Sequence, residues 1–135
     1  MIKNKVIVRI DKGEEIVDSL KKICNKLGIT LGTITGIGAT DKITIGLYDT
    51  KTKKYVSTNL LGDYEIAPLY GNISLKIDKV YLHLHVNICN REHNSFGGHL
   101  NSAIVSATFE AVIDIINGNI DRITEKESGL NLLNI

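Results

Sequence analysis

Long apolar runs are missing from this 135-residue chain. No stretch approaches the roughly 18 residues that a membrane-spanning helix needs, so no membrane segment is expected. The opening MIKNKVIVRIDKGEE alternates and soon turns acidic, without the continuous apolar core of a secretory signal, which makes the cytoplasm the expected location. Cysteine is scarce as well. Cys24 and Cys89 form no CxxC pair, which argues against a disulfide framework or a cysteine zinc module. Arginine is limited to Arg9, Arg91 and Arg122, and the formal charge is only +1, so neither the phosphate-neutralising surplus nor the bidentate base readers of a strong nucleic-acid binder are available. The lysines at 21, 22, 51, 53 and 54 read as solvated faces. No repeat, low-complexity tract or linker is present, and the length suits one domain over residues 1–135 with a substantial core.

What the chain does contain is patterned mostly for strands. Residues 3 to 10 alternate with Val6, Val8 and Ile10 on one side. Asp11 with Glu14 resembles a capping box and opens the one principal helix, about residues 13–27, whose apolar stripe is Ile16, Leu20, Ile23 and Leu27. Acidic residues precede lysines along it, as the helix dipole favours, and Gly28 supplies the stop. Strands are expected at about 30 to 37, 42 to 49 and 54 to 61. The glycines at 32, 36, 38 and 46 lack GxGxxG spacing and a following helix, so they mark bulges or close strand packing rather than a phosphate loop. Pro68, the only proline, predicts a bulge or an edge position. From 103 onward a two-residue period through Val105, Ala107, Phe109, Ala111, Ile113 and Ile115 predicts a strand. A short strand at 120 to 124 and a docked apolar tail complete the chain. The fold class is α+β: a curved, mostly antiparallel sheet with one helix.

All four histidines fall within YLHLHVNICNREHNSFGGHL, residues 81 to 100. On a strand, His83 and His85 leave one face while Leu82, Leu84, Val86 and Ile88 take the other. Their Cα atoms would be roughly 6.6 Å apart, close enough to converge on one ion. A tight turn at Gly97-Gly98 would bring His99 in from a separate direction as a third ligand. Three histidines with an open fourth position is a familiar arrangement for zinc that keeps a water or substrate. The competing reading is a polar sheet face of neutral imidazoles. His93, in a polar loop, is left outside the set, and Cys89 would sit about 13 Å beyond His85 along a regular strand. Glu65 is read first as a solvent-facing charge, and otherwise as a candidate fourth ligand or proton-transfer group.

Taken together, KGEEI, GITLGTITGIGA, YEIAPLYGNIS, HLHVN, GGHL, ATFEAVI and the closing GL and LL resemble the PPC (plant and prokaryote conserved) domain over nearly the whole chain. That resemblance implies an α/β fold, a homotrimer and a similarity to acetolactate decarboxylase, whose zinc is held by an HxH pair and a later histidine. It assigns His83, His85 and His99 as the matching metal ligands, with zinc as the ion and Glu65 of YEI as a neighbour and candidate catalytic group. It also implies a DNA-binding or regulatory role, although the arginine-rich AT-hook of the plant members is absent here. Two functions therefore stand: a DNA-related regulatory module carrying zinc, or a small zinc-dependent enzyme, lyase or hydrolase, acting on a carbonyl or carboxylate with Glu65 or Glu92 moving a proton.

Overall fold

The computed structural model describes residues 2–135. In chain order the elements are β1 (Lys5–Asp11), α1 (Ile16–Leu27), β2 (Gly32–Asp49), β3 (Lys54–Lys76), β4 (Lys79–Cys89), β5 (Ser95–Ile115), β6 (Arg122–Thr124) and β7 (Asn131–Leu133). The first five strands form one antiparallel sheet ordered β1-β5-β2-β3-β4. The N-terminal end of β5 also pairs with β4, so β2, β3, β4 and β5 close on themselves. β6 and β7 make a separate small hairpin.

The strands are longer than the sequence pattern suggested. Residues 32 to 49 form one strand rather than two, because irregularities at Gly36/Gly38 and Thr40/Lys42 let pairing continue through the break in alternation. Two glycines there are required by close approach: a Cβ on Gly38 would lie 2.3 Å from the Thr108 carbonyl oxygen, and one on Gly36 2.4 Å from the Phe109 ring. β3 runs unbroken past Pro68, with the expected bulge falling between Ile66 and Leu69. In β5 the period holds through Ala103, Val105, Phe109, Ala111 and Ile113, and lapses only at the exposed Ala107, where the pairing to β2 shifts.

The helix begins at Ile16, three residues later than the sequence pattern placed it. Glu14 does accept from the Asp11 backbone N–H at 2.8 Å, the capping-box contact, but Glu15 is the N-cap. Its carboxylate accepts from the N–H groups of Val17 and Asp18 at 3.0 and 2.8 Å, and from that of Ala103 on β5 at 2.9 Å. One side chain thus starts the helix and fastens it to the sheet. Gly28 ends α1 in the left-handed conformation at φ 66°. The buried line is Ile16, Leu20 and Cys24, while Leu27, the last residue of the helix, is exposed. These side chains join Leu84, Val86 and Ile88 of β4 and Phe109 and Ile113 of β5 in one core. No helix among the described residues is long and apolar enough to cross a membrane.

Candidate metal centre

β4 alternates as its sequence requires. Leu84, Val86 and Ile88 are buried in the core, with Leu82 packed beside them, and His83 and His85 leave the opposite face. Antiparallel register then sets their neighbours. On one side His83 faces Asn72 and His85 faces Tyr70 of β3; on the other, His85 faces His99 of β5. Gly97 and Gly98 lie inside β5 instead of forming the expected turn, so His99 arrives on a neighbouring strand. Their lack of side chains is still decisive. A Cβ on Gly97 would sit 2.8 Å from the Val86 carbonyl oxygen, and one on Gly98 2.7 Å from that of Gly46. The two glycines let β5 pack between β4 and β2.

His83, His85 and His99 are brought together, with a ligand nitrogen from each lying within 4.8 Å of the others. The Nε2 atoms of His83 and His85 are 3.2 Å apart. The three ring centroids are separated by 5.1, 5.6 and 5.5 Å. Bonds of about 2.0 to 2.1 Å at tetrahedral angles place ligand nitrogens roughly 3.4 Å apart, so this donor set fits a zinc-sized ion with small ring rotations. Burial holds His83 below the ordinary imidazole range, with Arg122, His85 and His99 adding to the effect; burial and His85 do the same for His99. Neutral imidazole is the form that ligates a metal.

The remaining sequence candidates lie elsewhere. Glu65 is exposed on β3 opposite Cys89, and Glu92 is exposed in the β4–β5 turn, its N–H donating to Asn90 Oδ1. His93 occupies the same turn at φ 65°. Cys89 Sγ is 3.5 Å from Ser95 Oγ. None of these lines the cavity above the three histidines.

That cavity, of about 830 Å³, is what the sequence did not reveal. The triad forms part of its wall, with Tyr55 and Gly46 beside His99 and Tyr81 and Asn72 beside His83. The β6–β7 hairpin supplies much of the rest through Arg122 and residues 129 to 133. The hairpin is fastened by Leu75 N–H donating to the Ile120 carbonyl and by Tyr48 O–H donating to that of Ser128. Arg122 is only 7% exposed. It donates from Nε to Ser74 Oγ, from one terminal nitrogen to the Asn131 carbonyl and from the other to Asn72 Oδ1, at 2.6 to 2.8 Å, and lies over the Tyr81 ring. Its one sequence signal was rarity, as one of three arginines.

Residues 1–117 match the model of the Plants and Prokaryotes Conserved (PCC) domain, the family named above as PPC. A solved structure from Bacteroides thetaiotaomicron, described as a candidate DNA-binding protein, is 37% identical, with a TM-score of 0.97 over 99% of this chain and 94% of that one. The metal-containing protein AF0104 of Archaeoglobus fulgidus is 32% identical, with a TM-score of 0.88 over 96% of this chain and 91% of the other. Acetolactate decarboxylase from Bacillus subtilis, at 12% identity, aligns with a TM-score of 0.54 over 82% of this chain and 53% of its own, a likeness of fold alone. No curated protein matches.

Proposed function

Because this chain belongs to the Plants and Prokaryotes Conserved domain family, we propose that it is a zinc-binding module of that family, its ion held by His83, His85 and His99 and open on one side to a ligand cavity. The observation that carries this reading is the convergence of three ring nitrogens within 4.8 Å on the wall of a cavity of about 830 Å³. The archaeal relative described as metal-containing supports it. The chemistry zinc supplies when bound is polarisation of a ligand oxygen. The chain's own residues orient that ion: β4 alternation sets two ligands and the β4–β5 register sets the third. A role as a small metalloenzyme acting on a carbonyl or carboxylate follows from the open position, without Glu65 or Glu92 in the cavity wall. The test is the metal content of protein purified without a histidine tag, beside a His83→Ala variant. Stoichiometric zinc in the parent and its loss in the variant is the expected result; full retention by the variant removes the centre.

A second reading is a DNA-related regulatory module acting as a cytoplasmic homotrimer; its DNA-related part is supported by the Bacteroides relative described as a candidate DNA-binding protein. Exposed apolar side chains such as Ile37, Leu47, Val56 and Leu61 favour burial against further copies of the chain. With a formal charge of +1, few phosphates are neutralised, so DNA affinity in this reading is weak. A titration of A·T-rich and random duplexes at low salt, with molar mass measured by light scattering, tests both parts. Absence of any binding at low salt ends the DNA reading.

A further inference from the structure

Among the described residues, Arg122 is a buried cation that forms no ion pair. Its three protein acceptors, Ser74 Oγ, Asn72 Oδ1 and the Asn131 carbonyl, are all neutral. No acidic residue lines the cavity it faces. A guanidinium carries five N–H donors, so two remain after these three bonds. A buried charge is costly unless it is paired, and here burial does lower the basicity of the guanidinium. The β6–β7 hairpin and β3 nevertheless hold it in one orientation, stacked on Tyr81 at 4.8 Å, on the wall it shares with the three histidines.

We infer that Arg122 is the anchor for a small carboxylate ligand, which enters the cavity with its anionic group on the guanidinium and its apolar body toward Leu130 and Leu133. The planar fork of arginine matches a carboxylate in geometry and charge. A phosphate dianion calls for more positive charge than the cavity wall offers, since no lysine lines it. The cavity falls within the usual range of about 300 to 1,000 Å³ for small-molecule sites. Arg122 lies beyond residues 1–117, the part that matches the family model. The inference deepens the reading of the cavity as a ligand site beside a metal centre and rests on it.

Calorimetric titration of the full chain, zinc-loaded and chelator-treated, with benzoate and isobutyrate tests it, using benzamide as the neutral control and inorganic phosphate as the competing anion. Metal content is measured on the same samples. Saturable binding of a carboxylate is expected, with benzamide silent and Arg122→Met weakening the affinity roughly ten- to a hundredfold, the scale of a lost charged hydrogen bond. Should Arg122→Met fail to fold, Arg122→Lys, which keeps the charge but loses the fork, is expected to weaken binding too. A ligand-dependent shift of the Arg122 Nε–H resonance in the unaltered protein gives an independent readout. Absence of binding by both carboxylates at up to about 10 mM, where even a millimolar site fills, overturns the proposal. Preference for phosphate, or affinity indifferent to both Arg122 variants, does the same. Carboxylate binding through Arg122 in a protein that holds no metal would overturn the zinc centre and leave the anchor standing; bound zinc without carboxylate binding would do the reverse.

Discussion

His99 stands directly across from His85 in the antiparallel register of β4 and β5, their rings 5.5 Å apart at an interplanar angle of 88°. Directly opposed residues are the closest cross-strand neighbours a sheet provides. Three histidines therefore converge through two ordinary regularities, strand alternation for His83 and His85 and pairing for His85 and His99. A one-residue slip of β5 would turn His99 to the other face.

This geometry separates His99 from His93. His99→Ala is expected to reduce bound zinc from roughly one ion per chain toward none, as removal of one of three protein ligands should. His93→Ala is expected to leave metal content unchanged, since His93 sits in the exposed turn away from the cavity. Elemental analysis of both variants after dialysis checks the pair of outcomes.

Gly98 is held where any side chain meets backbone, with a Cβ position 2.7 Å from the Gly46 carbonyl oxygen. Gly98→Ala should cost about 1 to 3 kcal/mol through overpacking. It should also weaken zinc binding, because the strand that must shift carries His99. Denaturant unfolding of metal-free protein gives the first quantity and a competing chelator the second.

Leu84, between the two β4 histidines and on the core face, is 1% exposed. Leu84→Ala should lower stability by about 2 to 5 kcal/mol. Measured without metal, so that ligand binding adds nothing to either protein, its unfolding midpoint should fall well below that of His83→Ala.

Cys24 is buried against the sheet, and burial pushes its thiol up to about 11 from the ordinary 9.0. Its contribution to stability is fully present below pH 9. Above that the unfolded thiol ionises while the folded one does not, so stability declines as pH rises from about 9 to about 11. At neutral pH, alkylation should modify the partly exposed Cys89 first and reach Cys24 only with unfolding, which timed labelling and mass spectrometry would show.

Local features that repeat with a period were legible in the chain alone. Alternation at 82 to 88 assigned the core and polar faces of β4, three- and four-residue spacing with Gly28 placed α1, and Pro68 announced the bulge in β3. Each depends on neighbours along the chain, so each is written in the chain. The helix start was misplaced because Asp11 and Glu14 do form a capping contact, yet the choice of Glu15 as N-cap depends on Ala103, 88 residues away. Strand lengths were underestimated because bulges interrupt alternation without interrupting pairing. That Gly97 and Gly98 serve close packing of β5 rather than a turn shows only in the assembled sheet, since the carbonyls they accommodate belong to β4 and β2. Arg122 likewise meets Asn72 and Ser74 some 50 and 48 residues away, and it shares a cavity wall with the histidines because the last hairpin lies against the sheet there. A ligand cavity is built from surfaces of several strands at once, and no periodicity within one strand records it.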